Sequence, residues 1–421
     1  METRFSCYGR ASTSASPVNR MMAAFARTFR DGVDINLGVG YVNEKTIPIA
    51  YLNEAMQAVA GDAVKYRQAF NYGAPDGSAN LIAALRRFLK RSLDDATLER
   101  KRLIIGPCGA TSVLDSLAQV LAPGLVVTSD PLYYIYADAL ERRGFEVLSV
   151  PEDAEGPDLA ALEHKLAGVD DRVAFFYVVT VNNPSCTILS NARRRALYEV
   201  AARLSRDQRR KIPIVFDLAY ELLLHDPNAE PFVSVLPEDE LDIVYEIGTL
   251  SKVLAPALRI GYLLGPDGPL MDAMVQRTSD AGFSAPLFVQ EMAGYLLDAR
   301  IEDQLRAVNA GYREKAVAVA AGIEQNLGPF LTECRGGSAG FYYYLTLRDI
   351  ETHPASAIFK HLTRDGGEPR VLYIPGEYCV HPRGDLAATG RRQLRLSYGF
   401  EDVPQILRAL ELMRDAAALL S

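Results

Sequence analysis

Short runs of residues that are apolar on both faces recur along this chain. Each is followed by a turn rich in small and polar residues and then by a stretch with helical spacing. Leu103–Ile105, Leu125–Thr128, Val173–Val181, Ile212–Phe216, Asp242–Ile247 and Ile260–Leu264 are such runs. A strand that alternates apolar and polar residues can leave one face in water, but one apolar on both faces has to be covered twice. Runs of this kind separated by helices predict an α/β architecture, a mainly parallel sheet with helices on both sides. Ligands of open α/β sheets bind just beyond the carboxyl ends of the strands. The residues that close each run are therefore where chemistry is expected.

Composition narrows the partners. The 421 residues carry a net charge of −8 with no long basic run, which excludes nucleic acid as the main partner. A chain this long holds a large core, most readily in two domains. No apolar run approaches the ~18 residues that span a bilayer, so no membrane partner is expected. The five cysteines are scattered and lack metal-ligand spacing. Free thiols in a reducing compartment, and hence a cytoplasmic location, follow. The five histidines are also scattered and give no zinc signature, so no metal is expected. Residues 1–30 are rich in Arg, Ser and Ala and nearly free of acid. A transit peptide has that composition, but without a cleavage signal the segment reads as an N-terminal arm.

The strongest candidate for chemistry is the stretch Thr249-Leu250-Ser251-Lys252 with Arg259 seven positions on, between two apolar runs. A buried ammonium is costly unless paired or neutralised, and burial that lowers its pKa makes it a nucleophile and a base. Arg259 could clamp a phosphate on the same ligand. Two loop cations on a solvated surface is the plainer reading of the stretch taken alone. Asp217 ends another run, where a carboxylate in apolar surroundings demands a cationic partner, although an Asp in that place is more often a helix N-cap. Gly109, Ala110 and Thr111 open a helix after a strand, a start that attracts anions. Tyr133 and Tyr134 lie just past a strand end, where a ring can stack on a flat ligand. Arg395 sits between two leucines that face the other way along a strand, and arginine suits a carboxylate through two parallel hydrogen bonds.

Taken in order, these segments resemble the fold-type I pyridoxal phosphate (PLP) enzymes, in particular the class I/II aminotransferases. The nearest branch holds 2-aminoadipate-type aminotransferases and the aminotransferase-like domain of MocR regulators. The resemblance runs from the Tyr72-Gly73-Ala74-Pro75-Asp76-Gly77 segment to Arg395. It implies a PLP-dependent transferase fold, with a seven-stranded, mainly parallel sheet in a large domain (49–300) and a smaller α+β domain (301–421). Residues 1–48 would form the arm and part of the small domain, the arm packing on a neighbouring subunit. It implies PLP as cofactor, held covalently on Lys252. Arg259, Thr249, Thr111, Ala110 and the helix start at Gly109 would hold its phosphate, with Tyr72 reaching in from the partner of a homodimer. Asp217 would face the pyridine nitrogen, Asn183 and Tyr220 the phenolic oxygen, and Tyr133 or Tyr134 the ring. Arg395 would bind the substrate carboxylate, with Asn183 beside it and Gly38 or Gly40 in a loop above. The sequence departs from the family pattern at Ile82, near Cys108 or Ala110, where a serine is common, and at Cys186, which replaces a glycine.

The activity implied is transfer of an amino group from an L-amino acid to a 2-oxo acid, 2-oxoglutarate above all, by a ping-pong mechanism. Another PLP reaction on the same scaffold (decarboxylation, elimination or oxidation) shares the same cofactor residues. A MocR-like ligand-binding module is a third reading. It is disfavoured because about seventy residues precede Tyr72, too few for a winged helix and linker. Tyr342, Tyr343 and Tyr344 suggest an aromatic pocket lining, although strand alternation turns only one or two of them inward.

Overall fold

The computed structural model describes residues 3–366 and 369–420. The first strands in chain order are β1 (Ile35–Asn36), β2 (Lys101–Ile105), β3 (Leu125–Asp130), β4 (Glu146–Asp153) and β5 (Gly156–Pro157). They are followed by β6 (Val173–Val179), β7 (Ile214–Asp217), β8 (Val244–Thr249) and β9 (Gly261–Pro266). The central sheet has the order β2-β9-β8-β7-β6-β3-β4-β5. From β8 to β4 the neighbours run parallel, whereas β9 is antiparallel to β2 and β8. The apolar runs mark six of these strands to within one or two residues at each end. The sheet has eight strands rather than seven, because the two-residue β5 folds back antiparallel on β4. Exposure along β4 partly alternates near the sheet edge, so β4 lacks the uninterrupted apolar run of its neighbours.

Burial on both faces explains the composition of the inner strands. Along β6, Phe175, Tyr177 and Val179 enter one helical layer, and Val173, Phe176 and Val178 enter the other. Val179 of β6, Asp217 of β7 and Ile247 of β8 lie in one register row. The carboxyl ends of three neighbouring strands thus open at one level, and the loops beyond them meet.

The remaining strands are β10 (Leu331–Gly336), β11 (Tyr342–Leu347), β12 (Val371–Leu372), β13 (Ile374–Pro375) and β14 (Gln393–Ser397). Four of them form a second, antiparallel sheet in the order β10-β11-β14-β13, while β12 pairs in parallel with β1. The stretch from Gly336 divides into the end of β10, a turn and then β11, since the glycines at 336, 337 and 340 adopt positive φ. Tyr342, Tyr343 and Tyr344 are all buried, because β11 is an inner strand with both faces covered. The helices Ile301–Leu327 and Val403–Leu420 pack together, Leu407 and Leu410 closing on Gly322. The N-terminal segment folds as the helices Cys7–Ala11 and Pro17–Arg27 on its own chain, where Val18 joins a buried cluster with Leu132, Tyr134, Ile374 and Cys379. Among the described residues no helix is long and apolar enough to cross a membrane.

Candidate active site

A cavity of about 320 Å³ opens at the carboxyl ends of β6, β7 and β8, and Lys252 reaches into it. The local sequence sets that aim. Thr249 ends β8, its hydroxyl donating to the Ile260 carbonyl at 2.7 Å and accepting from the Ser251 amide. Pro256–Leu258 then makes a single tight turn, and Arg259 takes a left-handed φ of 52° that returns the chain to β9. The loop is pinned at both strands, so Lys252 and Arg259 point into one cavity. Lys252 Nζ donates to the Gly40 carbonyl at 3.1 Å. Burial lowers its pKa to about 8, and the guanidinium groups of Arg395 and Arg259 push the same way against the opposing pull of Asp217.

Asp217 lies across the cavity at the end of β7 and is 4% exposed. It is no helix cap: its carboxylate accepts from Tyr177 Oη at 2.8 Å and from the Ala219 amide at 3.0 Å. Burial raises its pKa to about 6, the Tyr177 bond, the Ala219 bond and Lys252 opposing the rise. Both hydrogen-bond partners are neutral, so this carboxylate has room for a cation from a ligand.

The anion end is built by close backbone approach. A Cβ on Gly261, the first residue of β9, would stand 2.1 Å from the Ala110 amide nitrogen. That missing atom lets the helix Gly109–Val120 start directly against β9 and so beside Arg259. A Cβ on Gly109 (φ 71°) would stand 2.6 Å from Arg259 Nη2, so this missing side chain lets the guanidinium pack against the backbone there. Ala110, Thr111, Thr249, Ser251 and Arg259 line this end of the cavity, whereas Gly109 stands one layer back.

On β14, Arg395 is 2% exposed. Its Nη1 donates to Asn183 Oδ1 at 2.8 Å and its Nη2 to the Gly38 carbonyl at 2.6 Å, while Nε has no acceptor among the described residues. The guanidinium carbon lies 4.3 Å from the centre of the Tyr342 ring. Tyr220 and Tyr342 share a hydroxyl–hydroxyl hydrogen bond of 2.8 Å.

One cavity therefore gathers Lys252, Asp217, Tyr220, Asn183, Tyr133, Ala110, Thr111, Thr249, Arg259 and Arg395. Tyr134 lines it as well as Tyr133. Gly38 does not line it; that loop reaches the cavity at Gly40, and Gly38 instead holds Arg395 by its carbonyl. Tyr72 is 79% exposed, packs against Phe283 and lies outside this cavity. Sequence reasoning missed Tyr177, which reads as one more aromatic in a buried strand. Its place opposite β7 is visible only in the register that sets it beside Val215, two positions before Asp217. It also missed Ser251, although that residue adjoins Lys252.

Residues 33–398 match the family described as aminotransferase class I and II. The chain belongs to that family. The 2-aminoadipate transaminase of Thermus thermophilus is 27% identical over 298 residues, 70% of each chain. An uncharacterized HTH-type transcriptional regulator of Bacillus subtilis, YisV, is 23% identical over 386 residues, 91% of this chain and 73% of its own. The structure of LysN, an α-aminoadipate aminotransferase of Thermus thermophilus complexed with N-(5'-phosphopyridoxyl)-L-leucine, superimposes with a TM-score of 0.81 at 22% identity, covering 99% of this chain and 97% of that one.

PLP is the cofactor of class I and II aminotransferases, and the cavity of this aminotransferase fits it. A buried carboxylate with only neutral donors suits a protonated pyridine, and the cationic end at Arg259 suits a phosphate. Lys252, its pKa lowered by burial to about 8, reaches into the same cavity.

Proposed function

We propose that this aminotransferase moves the amino group of an L-amino acid to a 2-oxo acid, 2-oxoglutarate being the expected acceptor, in two half-reactions on one site. The observation that carries the proposal is the convergence of Lys252, Asp217 and the Asn183–Arg395 pair on one cavity beyond the strand ends. PLP bound there supplies an electron sink for the bond broken at the substrate Cα.

The protein groups divide the remaining work. Arg259, the amides at the start of the Gly109–Val120 helix and Thr111 bind phosphate; Thr249 holds the loop that carries Lys252. Asp217, held by Tyr177 and the Ala219 amide, keeps a positive charge on the ring nitrogen. Tyr133 and Tyr134 cover the ring. Asn183 turns Oδ1 to Arg395 and leaves Nδ2, with no acceptor among the described residues, for the phenolic oxygen beside Tyr220. Arg395 is already stretched between Asn183 and Gly38, so it meets a substrate carboxylate in a fixed plane. Lys252 Nζ takes the α-proton and returns it one atom away, and a pKa near 8 suits it to both steps.

A homodimer in the cytoplasm is part of the proposal. Val64, Phe70, Tyr72 and Phe283 make an exposed apolar band suited to a second copy, which would bring Tyr72 to the neighbouring phosphate end. The similarity to YisV supports a second reading, a regulatory amino-acid-binding module on the same fold.

An absorbance spectrum of the protein with PLP, followed by single amino acids without any keto acid, separates these readings. Loss of the bound-cofactor band with release of a 2-oxo acid is expected for an aminotransferase, and initial-rate plots against both substrates should give parallel lines. A band that forms with PLP and never converts with any amino acid favours the regulatory module. A Lys252→Ala protein that turns over at the normal rate refutes the assignment of the site.

A further inference from the structure

Tyr342 has no role in the division of labour above, yet its side chain stands at the centre of the site. It is the first residue of β11 and is 0% exposed, and its ring lies beneath the Arg395 guanidinium. Its hydroxyl occupies the space left by Gly40, where a Cβ would come within 2.7 Å of it. Its one hydrogen-bond partner among the described residues is the Tyr220 hydroxyl at 2.8 Å.

Two hydroxyls that share one hydrogen bond keep one proton free for a third group. Which hydroxyl keeps it depends on where the other can send its own. Both tyrosines line the cavity, but the Tyr342 hydroxyl is packed against Gly40, whereas the Tyr220 ring has the Lys252 amine 5.4 Å from its centre and so stands at the lysine's end of the cavity. The Arg395 charge over its ring also makes Tyr342 the stronger acid of the pair.

Resting on the functional reading above, we propose that Tyr342 is a positioning residue whose hydroxyl donates to Tyr220 and thereby turns the Tyr220 proton toward the phenolic oxygen of the cofactor. A donor that itself accepts a hydrogen bond is polarised and donates more strongly. Two hydroxyls in series then support negative charge on the phenolic oxygen, and the Lys252 nitrogen gives up its proton at lower pH. Arg395, Tyr133, Tyr134 and Cys186 also face this tyrosine pair, and Arg395, Arg259 and Asp217 face Lys252. All of them remain in a Tyr342→Phe protein, which lacks a single oxygen.

The test is a pH titration of the visible absorbance of the PLP-loaded protein. Tyr342→Phe should move the midpoint upward by roughly 0.5–1 pH unit, the equivalent of one neutral hydrogen bond. Tyr343→Phe is the control: it is the next residue on β11, and its buried hydroxyl donates to the Ala316 carbonyl at 2.8 Å, on the other side of the strand. It should leave the midpoint where it is. A Tyr342→Phe midpoint equal to wild type, or a downward shift, overturns the inference while leaving the functional reading intact. An equal shift in the Tyr343→Phe protein also overturns it, because a general loosening of β11 would then be the cause. A wild-type protein that forms no band with PLP would refute the functional reading and this inference together.

Discussion

Replacing Asp217 with asparagine should stabilise the cofactor-free protein and cripple the cofactor site at once. Burial moves this carboxyl from the ordinary 3.8 to about 6 in the folded chain. Each pH unit is worth 1.36 kcal/mol, so holding the ionised form inside costs the apo protein about 3 kcal/mol at neutral pH. The sign follows from linkage. The folded carboxyl binds a proton more readily than the unfolded one, so the cost is complete above about pH 6, fades as the pH falls, and is absent below 3.8. Asparagine keeps the geometry: Oδ1 can still accept from the Ala219 amide, and Nδ2 can donate to Tyr177 Oη. The assay is thermal unfolding of apo wild type and Asp217→Asn between pH 7.5 and pH 4.5. At pH 7.5 the variant should melt roughly 3–6 °C higher, and the gain should shrink as the pH falls through 6. Addition of PLP should reverse the order, since wild type gains binding energy from the carboxylate–pyridinium pair and the variant does not. An Asp217→Asn apo protein that melts lower at pH 7.5, or whose gain is the same at both pH values, would refute the reasoning.

Three further outcomes follow from the same geometry. The rate at which apo protein takes up PLP should climb with pH through about 8 and level off above it, because the Lys252 amine is neutral there; a rise continuing to the 10.5 of an ordinary lysine would contradict the pocket's effect on that amine. Gly261→Ala should cost about 3 kcal/mol in chemical unfolding and weaken PLP binding together, since its Cβ meets backbone at Ala110 and Gly109 rather than a movable side chain; unchanged stability would mean that the helix start is free to retreat. Mixing inactive Lys252→Ala with inactive Tyr72→Ala should restore about a quarter of wild-type activity if Tyr72 serves the neighbouring site, because half of randomly mixed dimers carry one intact site of two. No recovery after subunit exchange would remove Tyr72 from that role.

Much of this site could be read along the chain because each inner strand delivers its functional residue just beyond its own carboxyl end. Asp217 ends a strand that must be apolar on both faces, and Asn183 and the Lys252 loop follow such strands, so strand recognition alone finds the neighbourhood of the chemistry. Tyr177 escaped because it does not lie past a strand end; it sits inside β6, where a tyrosine looks like any other core aromatic. Of the three tyrosines expected to offer an aromatic pocket lining, Tyr342 lines the cavity and Tyr343 and Tyr344 do not. Of the two loop glycines offered, Gly40 lines the cavity, and Gly38 acts through a carbonyl bound to Arg395, a contact that leaves no mark in the sequence.

The sequence by itself determined the layered α/β architecture and the position of Asp217 and the Lys252 loop at the ends of its apolar strands. Those follow from periodicity and burial, which are properties of neighbouring residues. Only the tertiary structure decided the pairings: Tyr177 with Asp217, Asn183 with Arg395, Lys252 with the Gly40 carbonyl, and Tyr342 with Tyr220. Their partners are separated by between 40 and 212 residues. Such contacts form because strand register and the missing side chains at Gly40 and Gly261 let distant backbones meet. No local pattern encodes a meeting of that kind.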